Sequence, residues 1–200
     1  MIARVHEKFI KTRRAFILHE KLCSFFPDNK ASVLDIGCGD GAVARHLMKA
    51  KPNLQVTGID PLVRADAAIP VTKFDGKTIP FSAKSFEFCL LVDVLHHAHD
   101  PFLLLQEARR VVKNGIIIKD HKVQGLLARQ TLRFMDNTHN CRYGVSLPYN
   151  YWTPSEWQTA FERLHLKPAK YNSNLQLYPA WADWLFGHDL HFIGLFEIKK

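Results

Sequence analysis

Apolar residues gather along this chain into short dense runs bounded by glycine, proline and aspartate, and between the runs they recur at helical spacing. Val33-Leu34-Asp35-Ile36 is the first run, and its almost unbroken apolar, β-branched character predicts a strand covered on both faces. Leu54 to Ile59 alternates and predicts a second strand ending at Asp60-Pro61. Val71 to Phe74 predicts a short third ending at Asp75-Gly76, and Phe86 to Val92 a central fourth. Ile116-Ile117-Ile118 predicts a fifth, ending at Lys119-Asp120-His121.

Helical spacing fills the intervals. Residues 2 to 26 carry Ile2, Val5, Phe9, Ile10, Phe16 and Ile17 among basic residues, as an amphipathic helix laid over a core does. Ala42 to Ala50 follows a glycine turn with good helix formers. Asp100-Pro101 reads as an N-cap with proline at the first helical position. The helix it opens presents Leu104, Ala108, Val111 and Val112 on one face and is expected to stop at Asn114-Gly115. From Lys122 to Trp152 an amphipathic helix around Leu126, Leu127, Thr131 and Phe134 leads into a polar, aromatic loop, which reads as an insertion covering the site. Thr153-Pro154-Ser155-Glu156 is a capping box opening a helix that buries Trp157, Phe161 and Leu164. Two late strands are expected, within Ala169 to Leu177 and from Leu190 to Ile198, with Trp181, Trp184 and Phe186 between them as core or pocket lining.

Strands alternating with helices predict an α/β fold, a doubly wound parallel sheet whose ligands bind at the carboxyl ends of the strands. Asp60, Asp75, Asp93 and Asp120 all fall at such ends. With 200 residues, 47% hydrophobic and 23% charged, the chain reads as one globular domain. Its parts are a helical cap at 1–30, a ligand-binding core at 31–121, the insertion at 122–152 and a C-terminal helix with strands at 153–200. The most hydrophobic window, Phe86 to Leu95, is interrupted by Glu87 and Asp93, so no transmembrane segment is expected and the cytoplasm is the default location. Cys23, Cys38, Cys89 and Cys141 form no C-x-x-C pair and predict neither disulfides nor a zinc site. The net charge of +8 admits a polyanion such as RNA, an acidic substrate or an anionic membrane surface, and selects none of them.

The chemistry begins at Asp35-Ile36-Gly37-Cys38-Gly39-Asp40-Gly41. Three alternate glycines between a strand and a helix permit positive φ and close approach of the backbone to a ligand, with the helix N-terminus supplying unpaired N–H groups. Gly37-x-Gly39-x-x-Ala42 also satisfies the dinucleotide fingerprint of dehydrogenases. Asp35 argues against that reading, because a dinucleotide strand usually carries an apolar residue there, whereas a carboxylate suits the ammonium of an amino-acid ligand.

Taken with the motifs that follow, this segment resembles the class I S-adenosylmethionine-dependent methyltransferases, in particular the small-molecule subgroup. The resemblance covers about residues 31 to 121. It rests on the glycine segment, Gly58-Ile59-Asp60, Phe74-Asp75-Gly76 followed by Ile79-Pro80-Phe81, Ser85-Phe86-Glu87, Val92 to His97, and Glu107 to Lys113. It implies a Rossmann-like, seven-stranded, mostly parallel sheet with the last strand antiparallel, and S-adenosylmethionine as cofactor. Asp35, Gly37, Gly39 and Gly41 would hold the methionine end, Asp60 with Pro61 the ribose, Asp75 with Gly76 the adenine, and Val92 with Asp93 the methionine moiety from the fourth strand. Lys113-Asn114-Gly115-Ile116 departs from the family's usual Lys-Pro-Gly-Gly. The Asn/Asp-Pro-Pro-Tyr/Phe signature of many amino-methyltransferases is absent, which disfavours methylation of base amino groups in nucleic acid.

Methyl transfer from a sulfonium is an in-line displacement that depends mostly on positioning. For a hydroxyl acceptor a histidine base is useful, and His121 and His97 are the candidates, just past the fifth and fourth strands. His96, His97 and His99 are too crowded in one turn for an ordinary zinc site, so no metal is expected. The expected activity is methyl transfer to a small-molecule oxygen, nitrogen or carbon nucleophile. An RNA-modifying enzyme and a non-catalytic cofactor-binding or partner-binding protein are the alternatives.

Overall fold

The computed structural model describes residues 14–140, 148–178 and 189–199. Ile2, Val5, Phe9, Ile10, Cys141, Trp181, Trp184 and Phe186 therefore lie outside the described residues. Seven strands form one sheet in the order β3-β2-β1-β4-β5-β7-β6. The first five, β1 (Ala31–Ile36), β2 (Leu54–Asp60), β3 (Val71–Lys73), β4 (Phe86–Val92) and β5 (Val112–His121), pair in parallel. β7 (His191–Ile198) inserts antiparallel between β5 and β6 (Leu166–Asn172). This is the Rossmann-like sheet with a reversed strand that the sequence predicts, and its order turns back between β1 and β4, where such sheets bind ligands.

Helices cover both faces. A first helix, α1 (14–23), lies with α2 (Ala42–Ala50) on one side, and α3 (Pro101–Val111) lies with α5 (Pro154–Arg163) on the other. The strand residues sort accordingly. Leu34 and Ile36 of β1, Ile116 and Ile118 of β5, and Phe192 and Phe196 of β7 pack with α3 and α5, whereas Val33, Ile117 and Ile193 pack with α1 and α2. In β4, Phe86 and Cys89 share a face although an odd number of positions separates them. The pairing with β5 slips between Phe86 and Phe88, and that irregularity restores the parity.

Two sequence expectations need correction. α3 does not continue to Asn114-Gly115: it ends at Val111, and Val112 at φ −103° and ψ 153° is already extended and paired with Phe86. β-branched Val112 gains more from the sheet than from another helical turn. The helix of the insertion, α4 (Ala128–Asn140), starts after Leu126 and Leu127, which are exposed, as is Phe134 within it, so the apolar face expected around these residues is not the buried one. Its buried face is made by Ala128, Leu132, Met135 and Asp136. α1 likewise buries Leu18 and Leu22 while Phe16 is exposed. The capping box forms as expected, with Glu156 N–H donating to Thr153 Oγ1 and the Glu156 carboxylate accepting from the Thr153 backbone.

The C-terminal core is aromatic. Phe161 of α5 stacks on Phe196 of β7 with ring centroids 4.0 Å apart, and Trp157 meets Phe192 edge to face. Phe196→Ala is expected to cost about 3–5 kcal/mol, read as a lowered midpoint in urea unfolding with an unchanged m-value.

Candidate functional site

The strand ends carry two adjoining groups of polar residues. The first surrounds the turn between β1 and α2. Asp35, next to last in β1, is flanked by Gly58 and Leu90 on the neighbouring strands and is buried, and its Oδ2 has no hydrogen-bond partner in the protein. Burial, and after it the nearby carboxylate of Asp60, pushes its carboxyl up to about 8. Gly37 has φ +69°, and a Cβ there would meet Val94 Cγ2 at 2.7 Å. Gly39 has φ +58°, and the nearest atom to a Cβ there is Arg64 Nη2 at 4.0 Å, so the face of this turn is open. Gly41 is the N-cap of α2.

Asp60 closes the turn from the end of β2. Its Oδ2 accepts from the Gly39 N–H at 2.8 Å and its Oδ1 from the Leu62 N–H at 2.8 Å, with exposed Pro61 between. Asp75 is exposed and accepts through Oδ1 from the N–H groups of Lys77 and Thr78, an Asx turn that lowers its carboxyl. Gly76 follows it at φ +76°. Val92 and Asp93 stand at the tip of β4, where Asp93 takes φ +56° and spends its own N–H on the Lys119 carbonyl at 2.8 Å.

The second group lies beside the tips of β4 and β5, and much of it was not legible in the sequence. The Asp93 carboxylate is ion-paired with Lys119 Nζ and with Arg14 Nη2 of α1, the latter at 3.1 Å. Burial opposes ionisation of Asp93, yet the two cations hold its carboxyl well below the usual range. His96, in a 3-10 turn (Leu95–His97), is buried between two carboxylates: Nδ1 lies 2.6 Å from Asp120 Oδ1 and Nε2 lies 3.5 Å from Asp136 Oδ2 of α4. Burial lowers its affinity for a proton, but Asp120 and Asp136 outweigh burial and raise it. Asp136 also accepts from the Tyr151 hydroxyl.

Three acids, Asp93, Asp120 and Asp136, thus face the cations Arg14 and Lys119 and the His96 ring, whose affinity for a proton they raise. His121 and His97 sit against this set. Burial and then the His96 charge lower both, His97 to about 4, so both rings are neutral at neutral pH. His121 Nδ1 lies 3.4 Å from Asp120 Oδ1 and 3.7 Å from Asp93 Oδ1, while its ring contacts those of His96, Tyr151 and His191. The structure therefore brings His121 together with Asp93 and Asp120, and places His97 with its ring centroid 4.0 Å from that of His96.

Asp93, His96, Asp120 and His121 also bring potential metal-ligand atoms within 4.8 Å of one another. The donor chemistry favours protons over an ion. Asp120 already accepts from Leu95 N–H, His121 N–H and His96 Nδ1, and Lys119 and Arg14 supply the counter-charge for Asp93. One sequence signal pointed here: Lys119-Asp120 ends the Ile116–Ile118 run, and two charges terminating so apolar a strand demand buried partners.

Residues 34–118 match a family model described as a methyltransferase domain. The demethylmenaquinone methyltransferase of Thermotoga maritima is 33% identical over 129 residues, 60% of this chain and 55% of that protein. The tRNA (carboxymethyluridine(34)-5-O)-methyltransferase of Schizosaccharomyces pombe is 31% identical over 98 residues, 47% and 41% of the two chains. The chain thus spans about half the length of the curated relatives it matches. Among solved structures, the methyltransferase bound to the Trm112 activator in a Haloferax volcanii complex superposes with a TM-score of 0.67 at 17% identity, covering 99% of this chain and 97% of that one. An S-adenosylmethionine-dependent methyltransferase of Aquifex aeolicus gives 0.59 at 18% identity over 90% and 89%. These structural likenesses show the fold.

The residues present fit S-adenosylmethionine. Asp35 offers a buried, unpartnered carboxylate oxygen beside the turn, which a ligand ammonium would satisfy, and the face over Gly39 is open to a ligand. In the ligand-free protein the Asp35 carboxyl keeps its proton up to about pH 8, whereas unfolded it ionises near 3.8. Stability therefore declines as pH rises between these values, and Asp35→Asn is expected to remove a decline of up to about 1.4 kcal/mol per pH unit, checked by urea unfolding across that range. The same variant should weaken S-adenosylhomocysteine binding about tenfold or more, since it loses a charge-assisted contact worth roughly 1.5–3 kcal/mol; calorimetric titration reads this directly. Asp120→Asn, which leaves His96 without its nearest carboxylate, should cost about 3–5 kcal/mol in the same unfolding assay.

Proposed function

We propose, on the premise that the chain belongs to the class I S-adenosylmethionine-dependent methyltransferases, that it methylates a hydroxyl of a small-molecule acceptor, with His121 as the general base. The observation that carries the reading is the neutral, buried imidazole of His121 set against Asp120 and Asp93 at the end of β5.

Bound S-adenosylmethionine supplies an electrophilic methyl group on a sulfonium. Asp35 and the glycine turn would hold its amino-acid end, Asp60 would accept from the ribose hydroxyls, and Asp75 with Gly76 would flank the adenine. Val92 and Asp93 border the methionine end from β4. On the acceptor side, His121 would take the hydroxyl proton as the methyl passes to the acceptor oxygen and its bond to sulfur breaks, leaving S-adenosylhomocysteine. Asp120 and Asp93 then face the imidazolium so formed, as a carboxylate does in other acid–base pairs. His96, held between Asp120 and Asp136, serves as a positioning group. His97, lowered to about 4, is the weaker base of the two sequence candidates. The cap at 1–30 and the insertion at 122–152 shape the acceptor pocket: Arg14 reaches Asp93 from the first, and Asp136 and Tyr151 reach the histidines from the second.

Similarity to a demethylmenaquinone methyltransferase supports a small organic acceptor. A second reading, an RNA acceptor, draws on similarity to a tRNA methyltransferase and on the charge of +8. A radiolabelled methyl screen over small hydroxylated compounds and bulk RNA separates them: label confined to RNA overturns the small-molecule reading, and binding of S-adenosylhomocysteine without transfer to any acceptor points to a non-catalytic protein. With an acceptor in hand, His121→Ala should lower kcat by about 100-fold or more while leaving S-adenosylhomocysteine affinity unchanged. Unchanged turnover removes His121 as the base.

A further inference from the structure

Helix α4 buries Ala128, Leu132 and Met135 and yet leaves large apolar side chains uncovered at its start and on its outer side. Leu126 is 97% exposed, Leu127 66% and Phe134 62%, whereas the covered side of α4 includes the charged Asp136. Leu127 and Phe134 are seven residues apart and so share one stripe, with Leu126 at the edge where the chain enters the helix. Arg129 and Arg133 lie one turn apart beside that stripe and are exposed, and Lys122 sits at the start of the segment. Arg133 holds its guanidinium over the Tyr149 ring at 5.4 Å. Glu156, the acid whose charge acts on Arg129, is already committed to the capping box of α5.

We propose that this face docks on an anionic lipid surface. An apolar stripe bordered by cations is the arrangement by which an interfacial helix inserts its aliphatic side chains below the headgroups while its basic residues meet lipid phosphates. Charge complementarity selects this occupant over the others. A second copy of the chain meeting the same face around a two-fold axis would bring like cations together. Nucleic acid would satisfy the cations but offers little to two leucines, which have no ring to stack on a base. The net charge of +8 supports attraction to an anionic surface over the whole molecule. The inference does not depend on methyl transfer, although it would bring the segment covering the acceptor side against the bilayer.

The test is co-sedimentation of the full chain with vesicles of phosphatidylcholine alone and of phosphatidylcholine mixed with phosphatidylglycerol. Binding to the anionic vesicles is expected, weakened about tenfold or more by Leu126→Glu/Leu127→Glu and by raised salt, with little binding to phosphatidylcholine alone. Both leucines are exposed, so the variant should keep its circular dichroism and Tm; Leu126→Gln/Leu127→Gln, which adds no charge, should weaken binding in the same direction. Absence of binding to anionic vesicles overturns the proposal, and so does binding that both variants leave undiminished. A concentration-dependent dimer, or RNA binding, that the same variants abolish in place of vesicle binding assigns the face to a second copy or to nucleic acid.

Discussion

Six ionisable side chains beside the tips of β4 and β5 have to be neutralised together. Asp93, Asp120 and Asp136 stand against Arg14, Lys119 and His96, in a region where an unpaired charge would cost several kcal/mol. Each pairing joins a different part of the molecule: α1 to β4, β4 to β5, and the turn after β4 to both β5 and α4. Helices α1 and α4 are thus held to the sheet by electrostatic pairing as well as by apolar packing. Burial, and after it the neighbouring His96, lowers the proton affinity of both His121 and His97.

How much of this a reader could take from the sequence depended on range. The β1 strand, the glycine turn and Asp60 occupy one local pattern, and the bond from the Gly39 N–H to the Asp60 carboxylate follows from adjacent parallel strands. The capping box at Thr153 was equally legible because it is closed within four residues. The end of α3 was misplaced because Asn114-Gly115 looks like a helix stop, while the pairing of Val112 with Phe86 is a tertiary fact. The contact of Arg14 with Asp93 spans 79 positions and leaves no local trace. Periodicity located α4 well enough but not its orientation: Leu126, Leu127 and Phe134 form an apolar stripe, and only the burial of Leu132, Met135 and Asp136 shows which side meets the protein.

The two halves of the site differ in kind. The half around the glycine turn is built mainly from backbone and carboxylates, with open space over Gly39 and an unsatisfied oxygen on Asp35. The half around His121 is filled with aromatic rings and ion pairs that join Asp93 and His96, inside the family match at 34–118, to Arg14, Lys119, Asp120 and Asp136 outside it. Local motif chemistry therefore describes the first half well, and long-range pairing describes the second.

The strand order adds a matter of timing. β5 lies in the middle of the sheet, yet its outer neighbour β7 is the last strand in the chain, and His121 is registered opposite His191. As the chain leaves the ribosome, the apolar run Ile116–Ile118 and the side chain of Lys119 have no cover on that edge until some seventy further residues have been made. The glycine turn draws only on strands made early in the chain, whereas the surroundings of His121 are completed only when β7 docks.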